Sequence, residues 1–237
     1  MSTALASKRF RAATQQVDRT QRYTISAGVA LLKQLPTVKF DETVELALGL
    51  SVDPKRTDQV VRGTVLLPHG TGKTARIAVF CQGEQVTQAL AAGADVAGGS
   101  ELIAKVNSGW AEFDVAVATP RMMPELAKVG KILGPRGLMP SPKAGTVTDD
   151  LTKAIMEVKR GKVEFKQDKQ GNLHLVIGKR SFSEQALTEN AQALCEAVRH
   201  ARPAALKGSL VRTATLSATM SPGIPLDATA LFAEEAE

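Results

Sequence analysis

The sequence predicts a chain of mixed α/β and α+β class: a discontinuous outer α+β domain with a split βαβ-like antiparallel sheet, and an inserted Rossmann-like three-layer α/β domain. Three observations lead there. Apolar residues recur with period two near both ends, at Val44, Leu46, Leu48 and Leu50, then across Val163–Lys166 and Leu173–Val176, which marks strands with one face on a core. Between them, continuous apolar runs at Arg76–Cys81 and Phe113–Ala118 alternate with helical segments, the grammar of parallel strands buried on both faces. Charge divides at nearly the same places: residues 1–65 carry ten Lys/Arg against six Asp/Glu, residues 66–157 nine against nine, and residues 158–237 eleven against nine. The boundaries follow as 1–66 with 159–226 for the outer domain, 67–158 for the insertion, and 227–237 for an acidic flexible tail.

In chain order, Ala4–Val17 reads as a basic helix bearing Lys8, Arg9 and Arg11. Ser26 is the predicted N-cap of a helix over Ala27–Leu35 that Pro36 ends. The first strand runs through Val44–Leu50, Asp53-Pro54-Lys55-Arg56 is a turn, and Gly63–Leu67 is extended. In the insertion, helices are expected over Glu84–Ala91, Glu101–Asn107, Met122–Val129 and about Asp149–Arg160, with a short strand at Ala94–Ala97. Afterwards Val163–Lys166 and Leu173–Val176 flank Asp168–Gly171 as a hairpin. Ser183 caps a long helix, Glu184–His200, stopped before Pro203, and a last strand covers Ser209 to about Met220.

Composition narrows function. The net charge of +6 lies outside the middle segment, and without the tail acids Asp227, Glu234, Glu235 and Glu237 the outer segments hold twenty-one bases against eleven acids. A surface of that sign suits a polyanion, above all a phosphate backbone. Nothing resembles a run of eighteen apolar residues, and Met1–Asp18 lacks the apolar stretch of a secretory signal, so a cytoplasmic protein without membrane contact is expected. Cys81 and Cys195 lie in apolar contexts without CxxC or Cys/His spacing and read as buried small hydrophobes, with no metal and no cofactor implied.

Motifs that suggest enzymes fail on context. Gly70-Thr71-Gly72-Lys73-Thr74 has Leu67 where a P-loop needs its first glycine, and a strand follows where a helix should start. Gly93 and Gly98-Gly99 do not complete a dinucleotide fingerprint, and His69, His174 and His200 are scattered. A nucleotide-using α/β enzyme with a basic surface is the alternative that this leaves. Two stretches stand out instead. Phe40, between Lys39 and Asp41-Glu42 in a chain with only 4% aromatics, either caps the edge of the core or exposes its ring beside Thr43 for a base or ribose. Lys131–Thr146 carries three prolines and three glycines with Lys131, Arg136 and Lys143 and no acid, a stiff basic loop suited to phosphates.

That loop, with Lys39–Glu45, Val61–Val65 and Ser217–Met220, closely resembles the bacterial ribosomal protein L-one family of the large subunit, over about Lys8 to Leu226. The resemblance implies the same domain plan and a role as a structural constituent of the large ribosomal subunit. It implies binding to ribosomal RNA of the mobile stalk near the transfer RNA exit site, help in transfer RNA release, and repression of translation from the protein's own messenger RNA. It implies a ribosome-associated protein, monomeric when free. Carried onto this chain, the RNA-binding residues are Lys39, Phe40, Thr43, Thr213, Thr219, Met220 and Ser221, with Lys166, Lys169 and His174 of the hairpin as weaker transfers and Lys131, Arg136 and Lys143 as a secondary basic loop. Ser221 stands where the family usually has glycine, and Thr213 where serine is common.

Overall fold

The computed structural model describes residues 7–54, 56–204, 206 and 208–232. Ala4–Ala6 of the first predicted helix, Lys55 of the first turn, and Glu234, Glu235 and Glu237 of the tail lie outside them. The chain divides into two compact units: Met1–Gly72 with Val163–Glu237, and Lys73–Lys162.

In the first unit, helix α1 (Lys8–Gln16) starts at Ser7, whose hydroxyl accepts the Phe10 N–H, and buries Ala13. Helix α2 (Ile25–Gln34) is capped by Thr24 and not by Ser26: the Thr24 hydroxyl accepts from Ala27 N at 3.3 Å. The two hydroxyls stand two residues apart, and extended backbone at Thr24 makes it the cap. Strand β1 (Thr43–Leu50) turns Val44, Leu46 and Leu48 inward, as their spacing requires. Strand β2 (Arg62–Leu66) follows.

In the second unit, β3 (Ile77–Phe80) is the centre of a parallel sheet between β4 (Val96–Gly98) and β5 (Val115–Ala118). Helices α3 (Gln85–Ala91) and α7 (Leu151–Lys159) cover one face, through Ile77, Val79 and Val117. Helix α4 (Ser100–Asn107) and the short turns α5 (Met123–Leu126) and α6 (Gly130–Leu133) cover the other, through Phe80, Ala116 and Ala118. These are the three layers expected. The helix predicted over Met122–Val129 is a succession of short α and 3₁₀ turns from Pro120 to Leu133, with Pro120 and Pro124 each in the first turn of its own piece, where a missing N–H leaves no helical bond unmade. Lys131 therefore sits on α6 and not in the loop.

Strand β6 (Lys162–Lys166) pairs with β2, whereas β7 (Asn172–Lys179) pairs antiparallel with β1, so the predicted hairpin does not form. The turn itself is present. Asp168 accepts the N–H groups of Asn172 and Gln170 at 2.8 Å each, contacts, the first above all, that hold its carboxyl below the usual range, and Gly171 supplies the left-handed backbone (φ 79°). The chain changes sheets there because Gln167 turns inward and binds Val61 through its N–H and its amide oxygen, at 3.0 and 2.9 Å.

Helix α8 (Glu184–His200) runs as predicted, with Ser183 as its cap. Its fully buried Asn190 accepts from His69 N at 3.0 Å and donates to Gly70 O and Ile177 O. Strand β8 (Val211–Ala218) pairs with β1 on the side opposite β7, and β9 (Ile224–Leu226), unanticipated, completes the order β7-β1-β8-β9. The predicted tail begins with a helical turn. Asp227 caps helix α9 (Ala228–Phe232) through Thr229 N and Ala230 N, and Leu231 and Phe232 join the core.

Candidate nucleic-acid interface

The antiparallel sheet has unlike faces. Val44, Leu46, Leu48, Leu173, Leu175, Ala214, Leu216 and Ala218 point into the core shared with α2 and α8. The opposite face carries Thr43, Glu45, Ala47 and Gly49 of β1, Asn172, His174 and Val176 of β7, and Thr213, Thr215 and Ser217 of β8. Glu45, His174 and Thr213 are exposed, and the others on this face, Gly49 aside, are half-buried. The small size of these groups is enforced locally: a Cβ on Gly49 would lie 2.4 Å from Thr213 Oγ1, so only glycine fits beneath that hydroxyl.

At one end of this face the entrance to β1 meets the exit from β8. Thr43 N donates to Thr219 Oγ1 at 3.1 Å, and Thr219 N donates to Thr43 O at 3.1 Å. Lys179 Nζ donates to Thr43 Oγ1 at 2.9 Å, and Asp41 accepts from both Ser181 N and Ser181 Oγ. Beside these contacts stand two large apolar side chains in the open, Phe40 at 54% exposure and Met220 at 49%, with Lys39 exposed next to them. Phe40 is thus an exposed ring and not a core cap. It precedes the strand, in a bend, so the period-two rule does not govern it.

Bonded to the Met220 backbone is a buried ion pair. Glu42, fully buried, meets Arg180 Nη1 at 2.6 Å and accepts Met220 N at 3.0 Å. Arg180 Nη2 also reaches Lys33 O at 3.3 Å and Leu35 O, closing the C-terminal end of α2. The signal for Glu42 was in the sequence: it shares parity with Val44, Leu46 and Leu48, which points it inward and demands a cation. Nothing local announces Arg180, because β1 and β7 slip register between Val44 and Glu45. Lys179 and Glu45 also belong to the setting and were missed.

The predicted residues fall into groups. Lys39, Phe40, Thr43, Thr219, Met220 and Ser221 meet at the junction. Ser221 is half-buried, and its hydroxyl accepts Ala218 N at 2.8 Å while its N–H donates to Ala218 O at 3.0 Å, so it locks the turn after β8. No positive φ is needed there, which is why a residue other than glycine fits. Thr213 lies opposite Gly49, with His174 opposite Ala47, further along the same face. Lys166 and Lys169, both exposed, sit by the turn that leads to Asn172, at the far end of β1, about 20 Å from Thr43 by strand rise. In the second unit Arg136 and Lys143 are exposed in the loop and Lys131 on α6. Thr146 ties that loop to β5 through Ala118 N→Thr146 O at 2.9 Å and Ser141 N→Thr146 Oγ1 at 2.9 Å.

The enzymatic alternative finds no support at the positions that suggested it. The Gly70–Thr74 stretch leads to β3. At the start of α4, the Glu101 carboxylate itself accepts Gly99 N at 3.2 Å, placing the chain's own anion where a phosphate would sit. Cys195 is buried, and desolvation pushes its thiol up to about 12.

Comparison with known proteins identifies the family. The Ribosomal protein L1p/L10e family matches residues 31–222. The large ribosomal subunit protein uL1 of Bifidobacterium longum subsp. infantis is 53% identical over 221 residues, covering 93% of this chain and 96% of the relative. The proteins of the same description from Thermobifida fusca and Protochlamydia amoebophila are each 54% identical over 221 residues, covering 93% of this chain and 94% of theirs.

Proposed function

Because the chain belongs to the Ribosomal protein L1p/L10e family, we propose that it is a structural constituent of the large ribosomal subunit, not an enzyme, that grips ribosomal RNA with the open sheet face of its first unit. One observation carries the reading: two segments far apart in sequence, Lys39–Thr43 and Thr219–Met220, are bonded side by side and carry exposed Phe40 and Met220 together with a lysine and hydroxyls. Lys39 neutralises phosphate and sets register. The Phe40 ring and the Met220 thioether pack on ribose or base faces, and the Thr43 hydroxyl, which accepts from Lys179, has its proton to donate. His174 and Thr213 continue the contact along the face.

The RNA is that of the mobile stalk beside the transfer RNA exit site, and the protein works on the ribosome in the cytoplasm. Repression of its own messenger uses the same face, since any transcript that folds into the same shape competes for it. Exposed Arg121, Lys128, Lys131, Arg136 and Lys143 of the second unit, in a stretch with Glu125 as its one acid, give a further phosphate-binding surface for the transfer RNA.

Filter binding to transcribed large-subunit ribosomal RNA tests the core of this reading. Thr219→Ala and Met220→Ala are each expected to weaken binding by about 1–3 kcal/mol with the fold intact by circular dichroism. Wild-type affinity in both variants would remove the junction from the interface.

A further inference from the structure

Met220 lies beyond the last ladder residue of β8, yet both of its backbone groups are bonded by side chains. Its N–H donates to Glu42 Oε1 at 3.0 Å, and its carbonyl accepts from Arg9 Nη2 at 2.8 Å. Glu42 is fully buried and held from its other oxygen by Arg180. Arg9, on α1, extends Nη1 toward Pro36 O at 3.5 Å, the carbonyl at the start of the segment leading to Phe40. The two peptide groups that flank the Met220 Cα are therefore held by a carboxylate on one side and a guanidinium on the other, drawn from positions 178 and 211 residues away. Charge-assisted bonds of this kind are the stronger and shorter class.

We propose that Arg9 and Glu42 are positioning residues, a charge clamp that orients the Met220 side chain for RNA, and that α1 is thereby part of the interface. The proposal rests on the reading of Met220 given above. An unbranched side chain with three rotors loses much freedom when it packs on a ligand, and fixing its Cα–Cβ direction beforehand reduces that loss. Arg9 is read as a basic surface residue from sequence alone, but its guanidinium lies within hydrogen-bond distance of two carbonyls. Its contribution should differ in kind from that of Lys39. Removing a phosphate ligand lowers the slope of log affinity against log salt by about one, whereas removing a positioning residue leaves the slope unchanged.

The experiment compares wild type, Arg9→Met, Lys39→Met, Met220→Ala and Arg9→Met/Met220→Ala for binding to transcribed large-subunit ribosomal RNA across a salt series. Amide hydrogen exchange at Met220 is followed in the free proteins. Arg9→Met is expected to speed Met220 exchange and weaken RNA binding about tenfold at unchanged salt slope, with less than about twofold further loss in the Met220→Ala background. Glu42→Gln, which keeps an oxygen for Met220 N, should fall between wild type and Arg9→Met. The clamp is overturned if exchange at Met220 does not change, if Arg9→Met lowers the slope as Lys39→Met does, or if its full effect persists without the Met220 side chain. Faster exchange in Arg9→Met with wild-type RNA affinity in Met220→Ala would instead overturn the RNA reading of Met220, and the positioning role with it.

Discussion

Arg180→Met is the sharpest test of how the junction is held. The substitution retains an unbranched apolar stem of similar reach and removes the guanidinium. It strands the Glu42 carboxylate at 0% exposure, where the Arg180 side chain is itself only 9% exposed, and it uncovers the Lys33 and Leu35 carbonyls at the end of α2. An uncompensated buried charge of this kind costs about 3–5 kcal/mol, a large part of the whole stability of a domain. Replacing both partners, as Glu42→Leu/Arg180→Met, removes the stranded charge, so the double variant should be more stable than the single one. It does not return to wild type, because Met220 N loses its acceptor. The assay is urea unfolding of the full chain followed by far-ultraviolet circular dichroism. Fluorescence of Trp110, the one tryptophan, which packs on Phe113 in the second unit, reports that unit separately. A cost below about 1 kcal/mol for Arg180→Met, or a double variant less stable than the single one, would refute the reasoning.

Other outcomes follow from single contacts. Gly49→Ala places a methyl 2.4 Å from Thr213 Oγ1, far inside the roughly 3.5–4.0 Å of a favourable contact. The expected cost is about 1–3 kcal/mol in urea unfolding, and Thr213→Ala in the same chain, which removes Oγ1 and keeps a Cβ 3.8 Å away, should recover at least half of it. In the second unit, the Lys73 ammonium, at 2.5 Å, and then Arg76 N hold the Asp114 carboxyl below its ordinary value of 3.8. A lowered native value contributes stability that is complete above the unfolded value and disappears as pH falls through the native one. Lys73→Met raises the native value, so Trp110 fluorescence should show acid unfolding beginning at higher pH than in wild type; an unchanged or lower onset would count against the pair.

Much of the architecture could be read without coordinates, because the features concerned are local. The period-two spacing of Val44, Leu46 and Leu48 decides which side of β1 meets the core, and Ser183 followed by an amphipathic run decides where α8 begins and ends. Continuous apolar strands separated by helices dictate the parallel sheet of the insertion. The charged composition of Lys39–Thr43 and of the loop before Thr146 marks both as candidate contacts.

Partnership is another matter. Periodicity says that Lys162–Lys166 is a strand, but only the inward Gln167 and its bonds to Val61 direct it to β2 and away from its neighbour β7. It says that Glu42 faces inward, but a register slip between β1 and β7 is what delivers Arg180 to it. The pairing of Thr43 with Thr219 and the grip of Arg9 on Met220 join residues separated by most of the chain. Side-chain pattern is a property of a segment, whereas such contacts depend on which segments close on one another and which buried polar groups must then be satisfied. That balance is struck only when the whole unit has folded.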